Sequence, residues 1–394
     1  MLTERNRIDV VDGLRGWALL GILMANLLIF QYGLIGKDHI SFYHLSPLDE
    51  TSYHVVKIFV ESSFLPIFTF IFGYALVLMS DSLKQEQRRV KWHLFRRFLV
   101  LLVLGILHSS FLWEGDILFL YGYMGLFLLM FVHRKPKTLL IWGLTVFILF
   151  SGTSFLGSDS EDEMMSPSER SDYIEETTKV NSSGTYTEIK DHRNNSDPMK
   201  LEGGEAVFMF LLTPLVVSPM SLLGMYAGRK KWLHEPWKKT RMYCLGFVLL
   251  IPCGIVLKAL PYLMDSWQSL DMSIAGGQIS AAGYICLFAL LFSYFSRSRV
   301  FSAFCAMGKL SLTNYIMQTI ICTSLFYGYG LGQFGKMGVT FSLFVGVLIF
   351  TVQAGCSMLY LTYFKQGPLE KVMRCCIYLW KPRSNTKAET PKAS

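Results

Sequence analysis

Cysteine is absent before Cys244, and none of the eight cysteines that follow stands in a C-x-x-C pair. That leaves no sign of a secreted disulfide framework or of a zinc site built on cysteine pairs. Charged residues make up only 17% of the chain, and its 37 Lys and Arg sit in short clusters between apolar runs instead of forming one basic face. The formal net charge of +8 is therefore a topology signal and not a nucleic-acid footprint. No P-loop pattern is present, and His234-Glu235 lacks the second histidine of a zincin motif. Gly330-Leu-Gly332-Gln-Phe-Gly335 fits G-x-G-x-x-G, but it follows an apolar helical pattern, not a strand, and reads as a glycine-rich turn. The first apolar run carries Asp12 and Arg15 and ends without a clear small-residue cleavage site, so it reads as a retained helix.

What is abundant is apolar surface. Hydrophobic residues make up 52% of the 394 and aromatics 14%, with mean hydropathy +0.37, too much for one water-soluble core. Runs long enough to cross hydrocarbon as helices, at about 20 residues each, fall at 12–32, 57–80, 97–114, 115–133, 137–156, 205–227, 241–263, 274–295, 304–326 and 338–363. The expected fold is therefore all-α and polytopic, with about ten transmembrane helices.

Basic residues cluster in alternate loops: Lys84 to Arg97, Arg134 to Lys137, Arg229 to Arg241, and Arg297 with Arg299. The positive-inside rule makes that side cytoplasmic, with both termini there, and Lys371, Arg374, Lys381 and Arg383 in the tail agree. The chain divides into an amino-terminal half of five helices (1–156), a polar acidic loop (157–204), a second half of five helices (205–380) and a basic tail (381–394). The loop is expected to be flexible and extracytoplasmic. Asn181-Ser-Ser and Asn194-Asn-Ser in it fit the glycosylation sequon, a short pattern that says little in a Ser/Asn-rich stretch. The halves share no convincing repeat, so an inverted-repeat transporter is not supported.

Ionisable and polar residues deep in an apolar span are costly and mark candidate sites. Asp12 and Arg15 share one helical face, with Asn26 three turns further on. They form either an ion pair at the membrane boundary or a surface on which Arg15 meets a phosphate-bearing ligand. His108 lies eleven residues beyond Arg97, about 16 Å along a helix at 1.5 Å per residue. It either bonds a neighbour quietly or acts as a general base, to which its ordinary pKa near 6.5 is suited. Trp113-Glu114-Gly115-Asp116 is a tight turn that puts Asp116 within reach of His108 if the turn folds inward, and Glu61 is a further carboxylate on that side. Ser311, Asn314, Tyr315 and Gln318 recur along one helical face, either as interhelical glue or as a polar substrate path.

These residues also carry a resemblance. Arg7-Ile-Asp-Val-Val-Asp12-Gly-Leu-Arg15-Gly-Trp, Phe68-Thr-Phe-Ile-Phe-Gly73-Tyr, and Arg96-Arg97 leading to Leu104-Gly-Ile-Leu-His108 and Trp113-Glu-Gly-Asp116 resemble the amino-terminal half of the YeiB-like bacterial membrane proteins (domain of unknown function 418). Gly308-Lys-Leu-Ser-Leu-Thr-Asn314-Tyr-Ile-Met-Gln318, Phe326-Tyr-Gly-Tyr-Gly-Leu-Gly and Phe364-Lys-Gln-Gly-Pro368-Leu-Glu370 are similar to that family's carboxy-terminal domain. Where that family commonly has an aromatic pair and an arginine after this last motif, the chain has Lys371-Val-Met-Arg374. The family's amino-terminal half is in turn similar to transmembrane acyltransferases such as the lysosomal heparan glucosaminide acetyltransferase.

The resemblance implies a protein of the bacterial plasma membrane that moves an acyl group from cytosolic acyl-CoA, acetyl-CoA first, to a hydroxyl or amine on the far side. The acceptor would be an envelope glycan, a lipid or a small molecule. His108 and Asp116 would be catalytic, Arg15 and Arg97 would hold the cofactor, and Asn26, Glu61, Asn314 and Gln318 would face the substrate. No metal and no nucleic acid are implied, and self-association into a homodimer is left open. A carrier or exporter of a small polar metabolite or lipid, and a non-catalytic scaffold, are the competing expectations.

Overall fold

The computed structural model describes residues 8–153, 165–196, 203–263 and 272–378, and among them every regular element is helical. α1 (Asp9–Tyr32) carries Asp9 and Asp12 in its first turn, where carboxylates complement free N–H groups, and it stops at Gly33, whose φ of 78° a side chain would resist. α2 (Pro47–Val55) is capped by the Ser46 hydroxyl and leads through a π-helical turn (Val56–Val60) to α3 (Phe64–Gln85). α4 (Val90–Phe111), α5 (Leu118–Leu128) and α6 (Pro136–Thr153) follow. After two short helices, α7 (Pro167–Ser183) and α8 (Tyr186–Asn195), come α9 (Gly203–Arg229), α10 (Thr240–Leu263) and α11 (Ser273–Phe295). The chain closes with α12 (Arg299–Lys309), α13 (Ser311–Phe326), α14 (Val339–Tyr363) and α15 (Pro368–Tyr378).

Among the described residues, seven helical runs are long and apolar enough to cross a membrane, and Leu118–Leu128 and Pro136–Gly152 are shorter apolar helices. Leu245, Val248, Leu249 and Val256 of α10, Ile141, Leu144 and Ile148 of α6, and Phe344, Val347 and Leu348 of α14 all face outward. An apolar belt of this extent needs lipid around it. The protein is a polytopic helical membrane protein.

Two expectations need correction. The run 304–326 is not one continuous helix: it breaks at Leu310 into α12 and α13. The break is held by Glu370, whose Oε1 accepts from Leu312 N at 2.9 Å and Thr313 N at 3.2 Å while Oε2 accepts the Thr313 hydroxyl at 2.6 Å, so a new helix begins inside the bundle. Nor is the described part of 157–204 a flexible loop. Ser166 with Glu169 and Thr185 with Glu188 form reciprocal capping boxes that start α7 and α8. Both helices dock on the bundle: Tyr186 donates to the Phe111 carbonyl at 2.7 Å, Arg193 to the Ser110 carbonyl at 3.1 Å, and Gly328 N to the Asn181 carbonyl at 2.8 Å. Asn181, the first sequon asparagine, is buried. The acidic residues Asp159 to Glu163 and the tail 381–394 lie outside the described residues.

α1 is the axis, touching α3, α11, α12, α13 and α14. Small residues let backbones meet, as they do where helices pack in lipid. A Cβ on Gly308 of α12 would overlap the Asp12 carbonyl of α1, and one on Gly16 would overlap the Phe304 carbonyl. Gly73 of α3 and Gly224 of α9 are in the same position against the Ser221 and Phe70 carbonyls. Gly308→Ala is expected to cost about 1–3 kcal/mol by overpacking and to lower the thermal midpoint in detergent. Gly355→Ala, where nothing lies within 4 Å, is expected to leave it unchanged or raise it.

Candidate active site between α4, α5 and α13

The site forms where α4 ends. His108 sits in its last turn, and its carbonyl accepts from Leu112 N at 2.8 Å and Trp113 N at 3.1 Å, which reverses the chain. Trp113 is fully buried and stacks on Phe30 of α1 with centroids 4.0 Å apart, pinning the turn inward. Asp116 then starts α5: its Oδ2 accepts from Phe119 N at 2.7 Å, a charge-assisted cap. Gly105, one turn before His108, makes the approach possible, because a Cβ there would overlap Phe119 N and crowd Asp116 Oδ2.

The other carboxylate oxygen, Asp116 Oδ1, lies 2.9 Å from His108 Nδ1, with both side chains 2% exposed. The ring N–H does not point straight at Oδ1, so this is a close polar contact and not an aligned hydrogen bond; such contacts tighten in a substrate complex. On the far side of the ring, His108 Nε2 is 3.1 Å from the Thr319 hydroxyl of α13. With a proton on Nδ1 facing the carboxylate, Nε2 keeps its lone pair and Thr319 donates to it. Tyr315 completes the enclosure. Its ring lies 5.4 Å from the imidazole, and its hydroxyl accepts from Ile117 N at 3.2 Å and donates to the Gly115 carbonyl at 3.3 Å.

Gln318 is buried, and its Nε2 has no hydrogen-bond partner among the described residues, and the same holds for the Tyr121 hydroxyl. An unpaired buried donor is costly unless a ligand uses it. His108, Asp116, Tyr315 and Thr319 thus come together, with Gln318 on the same helix as the last two. Thr319 escapes a sequence reading because a threonine in a helix ordinarily bonds the carbonyl four residues back, and the Tyr315 carbonyl is 3.4 Å away here, so it raises no alarm in an apolar span.

The remaining candidates have other partners. Asn314 Nδ2 donates to Ser357 Oγ at 3.0 Å and ties α13 to α14. Arg15 Nη1 binds Asp12 at 2.9 Å and the Gly308 carbonyl at 3.4 Å, bracing α1 against α12. Arg97 directs Nη1 to the Met79 sulfur at 3.6 Å. Asn26 is half-buried on α1. Glu61 joins a separate charged group: Oε1 is 2.9 Å from Lys37, Oε2 meets Lys57, and Asp38 bridges the same two lysines at 2.6 and 2.7 Å. The Lys258 amine is anchored beside them on the Glu61 carbonyl and, at 3.1 Å, on Ser63 Oγ. Among the described residues no group of His, Cys, Asp or Glu is placed to hold a metal ion.

A helical membrane protein with a buried His–Asp contact is the class that this geometry defines. The family model described as "Protein of unknown function (DUF418)" matches residues 227–380, which include α13 but neither His108 nor Asp116. Whole-length relatives cover both halves. "Uncharacterized protein YxaH" of Bacillus subtilis (strain 168) is 30% identical over 394 residues, 95% of this chain and 96% of its own length. "Uncharacterized protein YeiB" of Escherichia coli (strain K12) is 26% identical over 94% of this chain and 96% of its own. The chain belongs to this YeiB-like family of DUF418 proteins.

The Asp38 carboxyl gives a pH dependence. Burial raises its pKa, but Lys37 and Lys57 outweigh burial and hold it below its ordinary value. A depressed carboxylate contributes stability above the unfolded-state pKa, near 3.9, that fades as pH falls through the lower folded value. The thermal midpoint of the wild type is expected to drop as pH is lowered below about 4, and Asp38→Asn to lower the midpoint at pH 7 and flatten that decline.

Proposed function

We propose that the protein is a transmembrane acyltransferase that takes an acyl group from cytosolic acyl-CoA, acetyl-CoA first among donors, and places it on a hydroxyl or amine of an acceptor reaching the bundle from the other side. The observation that carries the reading is the buried histidine held between a carboxylate and a hydroxyl, Asp116–His108–Thr319. Nε2 takes the proton of the acceptor's O–H or N–H, which arrives where the Thr319 hydroxyl now sits. Asp116 stabilises the imidazolium that forms and keeps Nδ1 protonated. The acceptor's oxygen or nitrogen attacks the thioester carbonyl, and the unpaired Gln318 Nε2 is a candidate donor to the oxyanion. Collapse expels the CoA thiolate, which recovers the proton from His108. Arg15 and Arg97 serve the CoA phosphates on this reading, entering from the basic end of the bundle.

Ten crossings, with both termini cytoplasmic in a bacterial plasma membrane, suit this traffic. Turns of the same expected side do meet: Arg229 with Asp81 and the Val132 carbonyl, and Arg96 with the Cys376 carbonyl, at one end, and Tyr43 with Thr178 and Gly328 with Asn181 at the other. The two five-helix halves would then share the site, α4 and α5 giving the base and its carboxylate and α13 giving Thr319 and Gln318. A glycan, lipid or small amine of the cell envelope is the acceptor class.

The test is transfer of labelled acetyl from acetyl-CoA to a panel of such acceptors by protein in liposomes. His108→Ala is expected to reduce turnover by about 10²–10⁴-fold, the usual contribution of a general base, with CoA binding retained. Turnover surviving in that variant removes His108 from the mechanism. Acceptor crossing the bilayer without acyl-CoA assigns the same polar residues to a carrier.

A further inference from the structure

At the basic end of the bundle, the turn between α3 and α4 opens a cleft of about 710 Å³. Its rim is cationic, with Lys84, Arg89 and Lys91 beside the His133 imidazole. Among the described residues, the neighbouring carboxylates are already taken, Asp81 by Arg229 at 3.0 Å and Glu86 by Arg88 at 3.1 Å, and Lys84, Arg89 and Lys91 have no ion-pair partner. The charges converge on the cleft. Burial, then Lys84, Lys91 and Arg229, push the exposed-loop His133 imidazole below its usual range. The first turn of α4 also starts here with no side-chain cap, leaving N–H groups for an anion.

The floor is apolar, formed by Val90, Phe95 and Leu129, with Trp92 stacked on Phe95 at 5.8 Å. It continues along α4. Trp92, Leu99, Val103 and Ile106 are exposed at spacings of seven, four and three residues, which keep one helical face, so one lipid-facing stripe runs out of the cleft. A soluble phosphate uses the rim alone. Only a ligand with an anionic head and long apolar tails uses both. Trp and basic residues together at a helix start are also the usual anchor at a membrane interface.

We propose that this cleft is a binding site for one anionic phospholipid, its phosphate among Lys84, Arg89 and Lys91 and its acyl chains along the α4 stripe. The inference does not rest on acyl transfer and stands whether or not the protein is an enzyme.

The test is a titration of the purified full-length protein in neutral detergent with dioleoyl phosphatidylglycerol and, separately, dioleoyl phosphatidylcholine, read by native mass spectrometry. The triple variant Lys84→Gln/Arg89→Gln/Lys91→Gln is compared with Lys230→Gln/Lys231→Gln/Lys238→Gln, the same charge change in another basic turn, after both show wild-type thermal midpoints in detergent. The first triple is expected to weaken phosphatidylglycerol binding on the order of a hundredfold at low salt, and the control by less than about threefold. Brominated phosphatidylglycerol chains are expected to quench tryptophan fluorescence in the wild type and less in Trp92→Phe. Equal loss in both triples, or equal affinity for phosphatidylcholine, overturns the site. Displacement of the lipid by inorganic phosphate or CoA at micromolar concentration assigns the cleft to soluble phosphates and overturns the lipid assignment.

Discussion

The two oxygens of Asp116 tie local folding to chemistry. Oδ2 satisfies Phe119 N and starts α5 in an environment where no water replaces a missing cap, while Oδ1 faces His108. The cap fixes the carboxylate, the carboxylate faces the imidazole at 2.9 Å, and the imidazole meets α13 through Thr319. Removing the carboxylate therefore disturbs a helix start and a ring orientation together. Gly105 and Trp113 are the sequence's provision for this arrangement, one by leaving space and the other by filling it against Phe30.

A second carboxylate solves the same problem for the opposing helix. Glu370 of α15 supplies the acceptors that let α13 begin inside the bundle, and this sets the height at which Tyr315, Gln318 and Thr319 face α4. Both walls of the candidate site are thus positioned by carboxylates acting as helix caps. The end away from the basic turns is closed by a different device, α7 and α8 hydrogen-bonded to the ends of α4 and α13. The charged group of Lys37, Lys57, Asp38 and Glu61 lies with Lys258 along the adjoining segment.

The apolar runs of the sequence locate the helices because each predicted run is long, unbroken and flanked by charge. They do not locate the break at Leu310, since the cap that makes it comes from Glu370, 58 residues from Leu312. His108 and Asp116 are readable as candidates because ionisable groups in hydrocarbon demand a partner. Their contact is not readable, since it depends on the inward fold of a short turn. Composition hides α7 and α8: a polar, acidic stretch reads as loop, although Ser166-Pro-Ser-Glu169 and Thr185-Tyr-Thr-Glu188 carry the capping pattern in plain view. Asn314 and Thr319 show the reverse difficulty, because a polar residue on an apolar helix does not disclose which neighbour it bonds. Asn314 serves α14 and Thr319 serves the histidine.

Acyl transfer requires that the protein recognise its donor before any acceptor is known, so donor binding is the most direct measurement. Calorimetry of the purified protein in nanodiscs with CoA and with acetyl-CoA is predicted to give micromolar affinity, weakened by Arg15→Ala and preserved in His108→Ala. Absence of binding to a demonstrably folded sample would contradict the account and return the buried histidine to a carrier or a structural role.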